Sequence, residues 1–104
     1  MTMIEFSKLN RRVGIRQYSF MNLIAAYGGA KQYTLAKMLS EELRIPINAA
    51  RHYVKNSFES LIERGFVLTH RESDRRTRRF EVYYIPTALG IAILPNLVVY
   101  GSDN

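Results

Sequence analysis

Residues 33–65, YTLAKMLSEELRIPINAARHYVKNSFESLIERG, decide the fold. Leu35, Met38, Leu39 and Leu43 recur at helical spacing. Thr34 is a good N-cap for that run. Pro46 forces the helix to end by Ile45, because the residue before a proline is pushed out of the helical region. A second helix follows almost at once, with Asn48 as its cap, and runs to Arg64 before Gly65 stops it. Ile47, Ala50, Val54, Phe58 and Leu61 lie on one face of it, with Ile62 beside them. The opposite face carries Asn48, Ala49, His52, Lys55, Asn56, Glu59 and Glu63. The first half of this outward face is polar and basic, and the second half is acidic. Two helices joined by so short a turn form the helix-turn-helix pattern.

On the N-terminal side, residues 15–27 (IRQYSFMNLIAAY) place Ile15, Phe20, Leu23, Ile24 and Tyr27 at spacings of three and four, and Gly28-Gly29 supplies the stop. On the C-terminal side, residues 66–72 and 79–85 are rich in β-branched and aromatic side chains and read as two strands. The SDRRTR segment between them has no glycine, so a longer loop is expected instead of a two-residue hairpin turn. Tyr83, Tyr84 and Phe80 carry rings that suit base stacking, but strand alternation assigns them to core packing. Thr87 then caps a short helix, ALGIAIL, that Pro95 ends. The expected organisation is a basic N-terminal arm over residues 1–14, a domain over 15–94 and a tail over 95–104. Lys8, Arg11 and Arg12 in the arm are candidates for phosphate contacts.

The chain is 104 residues long, which allows one domain. Its 47% apolar content argues against wholesale disorder. Fifteen Lys and Arg against nine Asp and Glu leave a net charge of +6, which points to a polyanionic partner. The absence of cysteine removes disulfides, thiolate zinc sites, iron–sulfur clusters and cysteine nucleophiles together. No apolar run approaches the roughly 18 residues of a membrane span, and residues 1–12 have no signal-peptide pattern. A cytoplasmic, nucleoid-associated protein is expected.

An enzyme is not expected. His52 and His70 lie on different elements without metal-ligand spacing. Neither a phosphate-binding G-x-x-x-x-G-K-[ST] loop nor a G-x-S-x-G elbow occurs. The sequence implies no cofactor and no metal. It does concentrate cations. Arg71, Arg75, Arg76, Arg78 and Arg79 repel one another at a loop tip unless an anion is near, and a duplex backbone supplies that anion. Asn48, Ala49, Arg51, His52, Lys55 and Asn56 occupy the start of the second helix. There an arginine suits guanine O6 and N7, an asparagine suits adenine N6 and N7, and an alanine meets a thymine methyl.

Several pieces resemble the winged helix-turn-helix regulators of the MarR and PadR groups. Residues 39–46, LSEELRIP, look like their second helix and turn, and residues 48–55, NAARHYVK, resemble the start of their recognition helix. Residues 61–67, LIERGFV, are similar to the segment that leads into their wing. Asp74-Arg75-Arg76 resembles the wing tip of the MarR group, and Tyr84, Thr87 and Gly90 match the positions that close the wing. The resemblance covers residues 18–94. Arg44 stands where a glycine is usual in the turn, and no long C-terminal dimerisation helix follows.

The resemblance implies an α+β fold with a three-helix core, a two-stranded basic wing and a short C-terminal helix. It implies a homodimer on double-stranded DNA, with the recognition helix in the major groove and the wing on the backbone or minor groove, acting as a repressor-like transcriptional regulator. The apolar tail from Leu94 to Tyr100 and the apolar first helix are the candidate dimer surfaces. No pocket for a small-molecule effector is located. Three alternatives stay open: a DNA-coating or partition protein with little sequence preference, a winged-helix module that binds proteins, and an RNA-binding protein.

Overall fold

The computed structural model describes residues 10–100. Lys8 and the rest of residues 1–9 of the expected basic arm lie outside them. The chain forms an α+β fold of four helices, a three-stranded antiparallel sheet and a separate parallel pair of strands. In chain order these are β1 (Arg12–Val13), α1 (Ile15–Tyr27), β2 (Ala30–Lys31), α2 (Gln32–Leu43), α3 (Ile47–Glu63), β3 (Val67–Asp74), β4 (Arg79–Pro86), α4 (Ala88–Ile93) and, after a 3-10 turn over Leu94–Asn96, β5 (Val98–Val99).

The three long helices bury one layer of side chains. Phe20, Met21 and Ile24 of α1, Leu35, Ala36 and Leu39 of α2, and Ala50, Val54, Phe58 and Leu61 of α3 are all buried. These are the positions a 3.6-residue repeat selects on each helix. A column of rings ties the helices to the sheet. Phe20 stacks on Phe58 at 5.3 Å between centroids, and Phe58 stacks on Tyr84 at 3.9 Å. Gln17 anchors the start of α1: its side chain accepts from the Gly14 backbone N–H (2.9 Å) and donates to the Ser57 carbonyl (3.0 Å) and the Ser60 hydroxyl (2.9 Å).

Two helix starts differ in detail from the sequence reading. Thr34 sits inside α2, which begins two residues earlier at Gln32 with Lys31 as N-cap. The reason is tertiary: Ala30 and Lys31 are held as a strand against Tyr84 and Tyr83, so α2 starts where that pairing ends. Asn48 likewise lies inside α3, which begins at Ile47 after Pro46. Pro46 fixes its own φ near the helical value and sets the start without a side-chain cap. The turn between α2 and α3 is made by Arg44 in the left-handed conformation (φ 54°, ψ 48°), with its N–H donating to the Ser40 carbonyl. The Ser40 hydroxyl donates to the Ile45 carbonyl (2.6 Å) and closes the turn.

Two segments come together that are remote in sequence. β1 and β5 pair in parallel, Arg12 opposite Val98 and Val13 opposite Val99, with Val98 N–H donating to the Arg11 carbonyl (2.8 Å). The Arg64 guanidinium at the end of α3 donates to the Arg12 carbonyl (2.7 Å) and holds this pair to the helical layer. Val13 is fully buried, and Leu94 and Leu97 pack against the core. Val98, Val99 and Tyr100 stay 40–52% exposed.

α4 is tied to the α3–β3 junction through Thr87. The Thr87 hydroxyl donates to the Gly65 carbonyl (2.6 Å) and accepts from the Gly90 N–H (2.9 Å), while Thr87 N–H donates to the Phe66 carbonyl (3.1 Å). This fixes the base of the β3–β4 hairpin. No helix among the described residues is long and apolar enough to cross a membrane.

Candidate functional site

The outward residues of α3 lie as the sequence places them. Asn48, Ala49, Arg51, His52, Lys55 and Asn56 are all exposed. They do not converge on one spot. Arg51 and Lys55 border the hairpin side of the helix, whereas Asn56 lines a separate concavity with Arg16, Tyr53 and Tyr100 on the opposite flank.

The hairpin projects beyond the helical layer. All eight pairs from Val67↔Pro86 to Asp74↔Arg79 are formed, which leaves a four-residue loop, Arg75 to Arg78. The loop closes without glycine because Arg78 takes φ 55° and donates its N–H to the Asp74 carbonyl (2.8 Å). The Asp74 carboxylate accepts from the Arg76 N–H (2.9 Å), an Asx turn that occupies the acid locally. Arg71, Arg75, Arg76, Arg78 and Arg79 are all exposed. No ion pair involves them among the described residues.

Alternation divides the hairpin into two faces. Thr69, Arg71 and Ser73 share a face with Tyr84, Val82 and Phe80, their cross-strand partners, and this face looks toward α3. The other face brings Glu72 opposite Glu81. Like charges directly opposite are unfavourable, and neighbours offset them. Lys31 Nζ lies 3.2 Å from the Glu81 carboxylate, and the Tyr83 hydroxyl donates to it at 3.1 Å. His70 Nε2 lies 3.5 Å from Glu72, an ion pair only when the histidine is protonated. The hydrogen bond to Glu81 and its charge raise the pKa of Lys31. Desolvation, then the hydrogen bond to Glu81, raises that of Tyr83.

A furrow runs between α3 and the hairpin, and its segments meet at Gln32. One segment of about 350 Å³ is bordered by the cations Lys31, Arg51 and Arg79, the acids Asp74 and Glu81, and the rings of Tyr33 and Phe80. A second, of about 320 Å³, lies over Asn48, Arg51, His52 and Lys55. A third, of about 270 Å³, lies between Lys55 and Glu59 of α3 and Thr69, Arg71 and Tyr84 of the hairpin. Gln32 is held in place by donating to the Tyr84 hydroxyl (2.7 Å). The structure thus brings Arg51, Lys55, Arg71 and Arg79 to one furrow and leaves Arg75, Arg76 and Arg78 at the tip.

Three residues of this furrow escape the sequence reading: Lys31, Gln32 and Tyr33. Taking Thr34 as the cap of α2 hides them as part of a loop, although the polar Lys31-Gln32 pair ahead of the apolar run is a visible signal. Phe80 is a correction. Alternation alone assigns it to the core, but it is 69% exposed, because the hairpin outruns the helices at that position. Tyr84 on the same face is buried. Among the described residues, no group of three or more His, Asp or Glu could hold a metal ion. No family model, curated protein or solved structure matches this chain.

Proposed function

We propose that α2, its turn and α3, followed by the β3–β4 hairpin, act as a winged helix-turn-helix that binds double-stranded DNA as a homodimer and regulates transcription. The start of α3 would enter the major groove, and the hairpin arginines would hold the backbone or the minor groove. The observation that carries this reading is the furrow, where cations from two separate elements border one path: Arg51 and Lys55 of α3, and Arg71 and Arg79 of the hairpin. A duplex phosphate strand has the charge and the continuity to occupy such a path, and displacing its counterions drives association. Three acids also border the furrow, Asp74, Glu81 and Glu59, against five cations, Lys31, Arg51, Lys55, Arg71 and Arg79, so its charge stays positive. Glu81 is paired with Lys31, and Asp74 accepts from the Arg76 N–H. Exposed Val98, Val99, Tyr100 and Ile15 supply apolar surface for a two-fold contact.

The test is fluorescence anisotropy on a random duplex and on the gene's own upstream region at two salt concentrations. Tighter binding to the upstream duplex at the higher salt supports an operator-reading regulator. Equal, salt-sensitive binding to both assigns a coating or partition role. Arg75→Ala with Arg76→Ala weakens binding to every duplex. Each lost phosphate contact lowers the log–log salt slope by about 0.9, so the double variant lowers it by about 1.8. An unchanged slope rejects the hairpin tip as a backbone contact.

A further inference from the structure

We infer that the hairpin end of the furrow holds an unpaired nucleotide of a bound nucleic acid, its base stacked on Phe80 and Tyr33. Phe80 is 69% exposed and Tyr33 54% exposed, and both border the same segment of about 350 Å³. Each ring has an open face. Phe80 takes no part in the stacked column of Phe20, Phe58 and Tyr84, and Tyr33 has only the Arg51 guanidinium, 5.9 Å from its ring centroid. Lone exposed apolar residues need no explanation. The segment is bordered by Lys31, Arg51 and Arg79 against Asp74 and Glu81, a positive balance. Two aromatic rings in a groove of that charge are the pairing that single-stranded nucleic-acid sites use, because every base has a π face and every nucleotide carries a phosphate.

The chemistry of the groove favours a strand over a free small molecule. A small-molecule pocket encloses most of its ligand, whereas this segment is open and continues past Arg51 into the furrow over His52 and Lys55. A nucleotide stacked at Phe80 would have its phosphates within the reach of Arg79 and Arg51. Its neighbours in the strand would follow the furrow. The inference rests on the furrow being the path of a nucleic-acid backbone, as proposed above. It adds that the protein prefers a duplex with an unpaired or extruded nucleotide at that point.

The experiment compares a blunt duplex with the same duplex carrying a three-nucleotide single-stranded tail with 2-aminopurine at its centre. The expected result is quenching of the 2-aminopurine fluorescence and about tenfold tighter binding of the tailed duplex. Phe80→Leu abolishes both effects and leaves the thermal midpoint unchanged, while Phe80→Tyr retains both. Equal affinity for the two duplexes without quenching overturns the stacking and leaves the double-stranded reading standing. Quenching with the tailed duplex and no binding to the blunt one supports the stacking and removes the double-stranded reading. Binding of neither removes both. Release of the tail by an equimolar amount of deoxyadenosine monophosphate makes a free nucleotide the occupant and overturns the strand assignment.

Discussion

Gly90→Ala probes how the hairpin base is held. A Cβ at position 90 falls 2.0 Å from the Phe66 carbonyl oxygen, 2.9 Å from its carbon and 3.2 Å from its Cα. Ordinary contact distances are about 3.5 Å, so α4 would have to retreat by about 1.5 Å from a rigid backbone group. That retreat strains the two bonds that dock α4, Thr87 N–H to the Phe66 carbonyl and the Thr87 hydroxyl to the Gly65 carbonyl. Overpacking costs about 1–3 kcal/mol, and each weakened hydrogen bond adds about 1 kcal/mol. Alanine regains about 1 kcal/mol of helix propensity. The net loss is about 2–4 kcal/mol, or roughly 10 °C or more in Tm for a chain of this size. Urea denaturation followed by circular dichroism measures it. Gly14→Ala is the control: its Cβ would meet only Gln17 Oε1 at 3.8 Å, and losing glycine at that N-cap costs under about 1 kcal/mol. A Gly90→Ala loss below 1 kcal/mol would refute the close approach of α4 to the Phe66 backbone at the α3–β3 junction.

Four further outcomes follow from particular contacts. Arg44→Gly should raise stability by about 1 kcal/mol, since a left-handed non-glycine residue costs roughly that much and its only bond there is a backbone one; an unchanged denaturation midpoint would count against this. Burial raises the pKa of Tyr84 above its usual 10.0, so the folded state holds this proton more tightly than the unfolded state. Its contribution to stability is then complete below pH 10 and is lost as pH rises through the raised value. Tyr84→Phe should make the alkaline fall in stability shallower, and an identical fall in the variant would show that Tyr84 does not titrate as described. In the DNA reading Arg51 borders the backbone path, so Arg51→Ala should weaken binding to every duplex and lower the log–log salt slope by about 0.9, and an unchanged slope would remove it from that path. Asn56→Ala, on the opposite flank of α3, should instead reduce discrimination between duplexes by about 1–3 kcal/mol, and equal losses on all duplexes would reject base reading there.

Much of the helical layer was legible because helix burial repeats with a local period. Ala50, Val54, Phe58 and Leu61 are a single face of one helix whatever packs against it, and all four are buried. The stops were legible for the same local reason: Gly28 takes the left-handed conformation that ends α1, and Thr87 caps α4. The end of α2 was legible from Pro46, but its start was not. That start depends on Ala30 and Lys31 pairing with a strand more than fifty residues away. For the candidate site, the α3 face and the arginine-rich loop were visible as residue types. That Arg51 and Asn56 border different concavities was not visible, because it depends on what lies beside the helix.

The sequence by itself determined the order of the four helices and the two long strands, the inward face of α3 and the concentration of cations on α3 and the hairpin. These follow from local periodicity, from proline and glycine, and from charge. On α1 and α2 it named Ile15, Tyr27, Met38 and Leu43, which are exposed, and missed the buried Met21 and Ala36. Only the tertiary structure decided where the layers end. Alternation puts Phe80, Val82 and Tyr84 on one face of β4, yet burial falls from Tyr84 to Phe80, because the sheet extends past the helices that cover its base. It also joined Arg12–Val13 to Val98–Val99, and it brought Lys31, Gln32 and Tyr33 beside Arg51 and Phe80. Such contacts are between residues far apart along the chain. They form because the packed core and the strand hydrogen bonds outweigh the entropy of closing those loops, a balance that no local stretch of sequence contains.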